Sequence, residues 1–140
     1  MNPDELQIQI DLRSESPIYI QIVEQIQQLV AGGRLKPGDQ LPTVRQLAAD
    51  LRINFNTVAR AYRILDEAGL ISTQHGRGTY IWDQPAPEAA QRLRQESLQA
   101  LTRRYLSQSA RLGFSAAEVA EQFLGELARW QAGEPPAAEE

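Results

Sequence analysis

The chain of 140 residues contains no cysteine and one histidine, His75. The first absence excludes disulfides and thiolate metal sites. The second argues against a histidine-rich catalytic metal centre. The opening residues, MNPDELQIQIDLRS, carry acids where a secretory leader has a basic segment, and no apolar run follows, so no secretory signal is expected. No stretch approaches the roughly 18 consecutive apolar residues of a membrane span. Nucleophile-elbow, P-loop and HExxH spacings are also missing. These gaps lead to the expectation of a soluble, cytoplasmic protein with no membrane partner, no metal, no cofactor and no enzymatic activity. There is no internal repeat.

An excess of positive charge is missing as well, since the formal net charge is −4. The distribution qualifies that total. Residues 1–33 hold one Arg/Lys and five Asp/Glu, and residues 83–140 hold six and nine. Residues 34–82 hold seven and four, a local net of +3 between two acidic flanks. Local charge, rather than the total, sets an electrostatic footprint. A +3 segment is by itself also what a solvated charged face looks like.

What is present is a series of short, well-punctuated elements. LQIQIDL alternates apolar and polar residues, which suits a short strand or a docked arm. Ser16-Pro17 then predicts a helix start, with Ser16 as N-cap and Pro17 in the first turn. Tyr19, Ile22, Val23, Ile26, Leu29 and Val30 follow at helical spacing, and Gly32-Gly33 supplies the stop. Pro37-Gly38 predicts a turn, with room for a very short strand near Leu41. Thr43 and Gln46 form a capping box for a second helix that turns Leu47, Ala48 and Leu51 inward and ends near Arg52. Asn54, or alternatively Asn56, caps a third helix with Val58, Ala61, Tyr62, Leu65 and Ala68 on its core side and Gly69 after its end. LISTQ and TYIW, separated by HGRG, read as a β-hairpin.

This order predicts a mostly α fold with a small β-hairpin: a winged helix-turn-helix domain over residues 1–82, including its N-terminal arm. DQPAPE reads as a linker, assigned to 83–87. Residues 88–133 are expected to form two helices that serve as a dimerisation segment. The first runs from Glu88 to about Leu112, with Leu93, Leu98, Leu101 and Tyr105 as apolar landmarks. The second follows a Ser115–Glu118 capping box and carries Val119, Phe123, Leu127 and Trp130. Residues 134–140 are expected to be a disordered tail. Two such helices make a poor core alone, and a second copy would complete it. The aromatic positions Tyr105, Phe123 and Trp130 fit core or interface better than a ligand pocket.

On a wheel at about 100° per residue, Asn56, Arg60, Arg63 and Glu67 of the third helix lie roughly 140–200° from Val58. The first turn adds Phe55 and Thr57. A helix entering the major groove reads bases with its N-terminal half. Asn suits adenine there, and Arg suits guanine. The plain alternative is a wet face with Arg63 and Glu67 as an i, i+4 pair, and Glu67 fits that description. Arg45, in the first turn of the second helix, and its cap Thr43 are candidates for phosphate, or for a base edge in the case of Arg45. At the hairpin tip, Gly76 and its neighbour glycine meet the needs of a turn. Arg77 suits a minor groove, and His75 is a weak candidate for phosphate.

Residues 16–81, SPIYIQIVEQIQQLVAGGRLKPGDQLPTVRQLAADLRINFNTVARAYRILDEAGLISTQHGRGTYI, resemble the DNA-binding domain of the GntR family of bacterial transcriptional regulators. The shared motifs are P-I-Y opening the first helix, G-x-x-L-P-T-x-R-x-L-A into the second, N-T-V-x-x-A-Y on the third, and the G-x-G-T-Y wing. The short two-helix tail resembles the YtrA-type subgroup. The resemblance implies a homodimeric regulator on a two-fold symmetric operator, with repression as the expected sign. It assigns DNA contact to Arg45, to Asn56, Thr57 and Arg60, and to Gly76 with its neighbours. Many relatives have proline where this chain has Phe55. Leu98, Leu101, Tyr105, Phe123, Leu127 and Trp130 are the expected dimer contacts. The tail offers little volume for a ligand, and no small-molecule effector is assigned. The competing expectation is a winged-helix module that binds protein and no DNA.

Overall fold

The computed structural model describes residues 6–74, 78–82 and 87–137. Its elements run α1 (Ile18–Ala31), β1 (Gln40–Leu41), α2 (Val44–Leu51), α3 (Phe55–Glu67), β2 (Ile71–Gln74), β3 (Gly78–Ile81), α4 (Pro87–Arg111) and α5 (Ala116–Gln131). The chain divides into two compact units, residues 1–95 and 96–140.

The first unit has a dry centre. Ile22 and Ile26 of α1, Leu35, Leu41, Leu47 of α2, Val58 and Leu65 of α3, and Ile71 of β2 are almost wholly buried. Helix α3 is the hub, packing against α1, α2 and β2. Its buried residues Val58, Ala61, Tyr62 and Leu65 are those its periodicity predicts. Gly69 follows with φ +72°, a left-handed conformation that ends the helix without a Cβ clash. Three antiparallel strands form the sheet in the order β1-β3-β2. In the centre, β3 turns Thr79 and Ile81 inward. Gly78 has φ +99°, a backbone angle that favours glycine.

Residues 6–10 form a docked arm rather than a strand. Ile8 is buried, and Leu6 and Ile10 pack against the core. Two glutamines of α1, one helical turn apart, satisfy the arm's backbone. The Gln25 side chain accepts from the N–H of Gln9 (2.9 Å) and donates to its carbonyl (2.7 Å). The buried Gln21 side chain accepts from the N–H of Asp11 (2.9 Å) and donates to the carbonyls of Asp11 (3.0 Å) and Ser16 (2.9 Å). Side-chain amides carry the same donor and acceptor pair as a peptide, so they stand in for a neighbouring strand.

Several boundaries differ from expectation. Pro17, not Ser16, is the N-cap of α1, and no side chain caps it. The Pro17 carbonyl takes the N–H groups of Ile20 and Gln21, while Ser16 is buried with its carbonyl given to Gln21. The turn between α2 and α3 is made by Arg52 at φ 55°, ψ 45°. No other non-glycine among the described residues has positive φ. Helix α4 begins at Pro87, a residue assigned above to the linker. Proline suits a first helical position, where an N–H has no intrahelical partner. Leu93, expected in the second domain, is buried in the core of the first unit. The other expected linker residues, 83–86, lie outside the described residues, as do 138–140 of the expected tail.

In the second unit, α4 ends before Gly113, and the Phe114 N–H returns to the carbonyl of Ser109. Ser115 and Glu118 form the expected capping box at α5. The Tyr105 and Phe123 rings stand 6.1 Å apart, tilted by 42°. No residue of α5 is buried, although its sequence has an apolar stripe.

Candidate nucleic-acid interface

The candidate surface lies in the first unit, where α2 and α3 each begin with a side-chain cap. At α2, the Thr43 hydroxyl accepts from the Gln46 backbone N–H (3.1 Å), and the Gln46 side-chain Oε1 accepts from the Thr43 N–H (3.0 Å). The box uses the hydroxyl of Thr43 as an acceptor. Its proton remains a donor, so capping does not compete with contact to an anionic oxygen. Arg45 follows in the first turn and is exposed.

At α3, the Asn54 side chain accepts from the Asn56 N–H at 2.7 Å. This settles the cap as Asn54 and leaves the Asn56 side chain exposed and unspent. Phe55 is 50% exposed. Within the first unit it and Leu12 are the large apolar side chains left exposed among the described residues. Thr57 is half-buried, and Arg60 and Arg63 are exposed. Among the described residues no carboxylate pairs with Arg45, Arg60 or Arg63. The alternative of an Arg63–Glu67 ion pair is therefore not realised.

One contact was not legible in the sequence. Cζ of Arg60 lies 3.9 Å from the centroid of the Tyr19 ring. The helical period placed Tyr19 among the inward residues of α1, whereas it is half-buried and offers a ring face to α3. His75, Gly76 and Arg77 at the hairpin tip lie outside the described residues. The strands on either side are paired in antiparallel register, with Gln74 opposite Gly78.

Taken with its surroundings, α3 is the second helix of a helix-turn-helix, and the β2–β3 hairpin is the wing: the first unit is a winged helix-turn-helix domain. Residues 18–81 match the model of the bacterial regulatory proteins of the gntR family. The chain belongs to that family, in its YtrA-type branch. It is 54% identical over 74 residues to the HTH-type transcriptional repressor YtrA of Bacillus subtilis (strain 168), a match that spans 53% of this chain and 57% of that repressor. It is 32% identical over 109 residues to the HTH-type transcriptional regulator YhcF of the same organism, spanning 78% of this chain and 88% of that one. Among solved structures, YtrA from Sulfolobus acidocaldarius, a GntR-family transcription factor, is similar with a TM-score of 0.52 and 41% identity, over 65% of this chain and 96% of that chain.

No described helix is long and apolar enough to cross a membrane.

Proposed function

We propose that this protein is a sequence-specific DNA-binding transcriptional repressor that acts in the cytoplasm as a homodimer on a two-fold symmetric operator. The observation that carries the reading is the set of exposed side chains at the N-terminal ends of α2 and α3. Arg45 and Asn56 stand there, and Arg60 and Arg63 follow along α3, the three arginines without a carboxylate partner among the described residues, while the opposite side of α3 is buried in the core. Surface arginines are commonly balanced by acids. An unbalanced group around two helix N-termini suits an anionic partner.

Roles follow from position. Asn56 and Arg60 read base edges, Thr57 and Phe55 complete the reading end, and Arg63 lies at the margin. Thr43 and Arg45 hold the backbone. The wing residues His75, Gly76 and Arg77 reach the adjacent groove, an assignment that rests on their sequence alone. The names of the Bacillus and Sulfolobus relatives support transcriptional regulation, and the former supports repression.

The dimer reading is supported by the second unit, where Leu98 is 66% and Trp130 57% exposed. Leu101, Tyr105 and Phe123 are also exposed, and Leu127 is half-buried. Apolar surface of that extent on two helices suits burial against a second copy. Two recognition helices so joined would address half-sites about one helical turn, roughly 34 Å, apart.

An electrophoretic mobility shift with DNA from upstream of the protein's own operon tests the reading. A retarded complex that forms on a specific segment and weakens steeply with salt is expected. Equal, salt-insensitive retention of every duplex, or none, would reject it in favour of a protein-binding module.

A further inference from the structure

The contact between Tyr19 and Arg60 crosses from α1 to α3. The central carbon of the guanidinium lies over the ring, 3.9 Å from its centroid, a separation that suits a stacked cation–π pair. The five N–H donors lie in the guanidinium plane, around the rim. Among the described residues none accepts from them. Face and rim therefore serve different partners: an aromatic holds the face while the rim stays available to guanine O6 and N7.

We propose that Tyr19 is a positioning residue for base readout: its ring holds the Arg60 guanidinium in place before DNA arrives, so that recognition of guanine by α3 depends on a side chain of α1. This rests on the reading of α3 as the DNA-facing helix. A long arginine chain has many rotamers to lose on binding. Stacking on a half-buried ring removes part of that loss in advance and leaves the hydrogen-bonding edge free. The same stacking, placed differently, would hold Arg60 away from the groove, and the two arrangements predict opposite effects.

The test uses the full chain and a duplex selected by the wild type from a random pool. Tyr19→Phe keeps a ring and is expected to bind as the wild type does. Tyr19→Leu is expected to lose about 2- to 5-fold in affinity, the range of an exposed cation–π contact. That loss should disappear when the Arg60-dependent guanine is replaced by 7-deazaguanine, and it should disappear in an Arg60→Ala background. A loss of equal size in that background, an unchanged affinity, or tighter binding by Tyr19→Leu would overturn the proposal. Because the Arg60→Ala background carries the same change at Tyr19, an effect on folding alone appears as that equal loss. A second readout needs no DNA. The Arg60 Nε–H signal should be ordered and ring-current shifted in the wild type and in Tyr19→Phe, and mobile in Tyr19→Leu. If it is mobile in all three, positioning fails whatever the affinity for DNA. If it is ordered but no duplex is bound, the DNA-facing reading is the one that fails, and with it the role in readout.

Discussion

The hydroxyl of Tyr62 donates a 2.6 Å hydrogen bond to the carbonyl of Pro42. Both residues are buried. One belongs to the middle of α3, and the other stands between β1 and the cap of α2. The bond thus ties α3 to the start of α2. Removing the hydroxyl leaves a buried carbonyl without a partner, which costs about 1–3 kcal/mol. Tyr62→Phe is expected to lower the melting temperature of the first unit by several degrees, at about 4–8 °C per kcal/mol for a domain of this size. An unchanged melting curve would show that the bond contributes nothing net.

The same residue sets an alkaline limit. Burial pushes the Tyr62 hydroxyl well above the usual tyrosine range. The folded state therefore favours the neutral form. Its contribution is fully present below the unfolded value of about 10 and is lost as pH rises from there through the raised folded value. The urea midpoint should fall between pH 9 and 11 by more in the wild type than in Tyr62→Phe. Identical falls would assign the alkaline loss to other groups.

Arg45→Ala and Arg60→Ala should each weaken operator binding while shifting the melting temperature by no more than about 2–4 °C, since surface changes of this kind stay within roughly 0.5 kcal/mol of stability. If Arg60 reads guanine and Arg45 holds phosphate, the two variants separate by salt. Arg60→Ala relaxes preference at one base pair at a cost of about 1–3 kcal/mol. Arg45→Ala weakens all duplexes alike and reduces the slope of log K against log salt by about 1. Fluorescence anisotropy on matched and mismatched duplexes at several salt concentrations distinguishes these outcomes, and equal slopes would remove Arg45 from the phosphate contacts.

Phe55 occupies the first position of α3 with half its surface in solvent. Cα–Cβ bonds of a helix tilt toward its N-terminus, so this ring leans past the helix end. Phe55→Ala is expected to leave stability nearly unchanged and to reduce affinity where the site presents a thymine methyl. Replacing that thymine by uracil should reduce wild-type affinity and leave Phe55→Ala unaffected. Should the alanine variant unfold at lower temperature and bind normally, the ring is a packing element only.

At α5, the Ser115 N–H donates to the Glu118 carboxylate at 2.7 Å. This bond, with the Ser115 side chain, holds the carboxyl below its ordinary range. A lowered folded value means that the contribution is present above the unfolded value, about 4.3, and is lost as pH falls through the folded one. Glu118→Gln should remove most of this acid sensitivity. Helicity followed by circular dichroism from pH 6 to 2 would show it, and parallel curves for the two proteins would discount the carboxylate.

Much of this could be read from residues alone because the signals were local. The period of α3, its Asn54 cap and the two capping boxes are patterns within four or five positions. What escaped was long-range or ran against residue preference. Arginine is no turn former, so the left-handed Arg52 between α2 and α3 gave no warning. Gln21 and Gln25 carried no signal in the sequence, because nothing local marks a glutamine as the partner of an arm ten or more residues away. Leu93 belonged by sequence to the second pair of helices, and only packing reveals that the first turns of α4 join the earlier core. The stacking of Arg60 on Tyr19 likewise depends on how α1 and α3 pack.

The two glutamines of α1 also imply an order of events in time. The Gln25 bonds to Gln9 are exposed, whereas the Gln21 bonds to Asp11 and Ser16 are partly or fully buried. The N-terminal arm should accordingly unzip from its outer rung. Under native conditions the amide proton of Gln9 exchanges with solvent deuterium ahead of that of Asp11, and the inner rung is released only when the core beneath it begins to breathe.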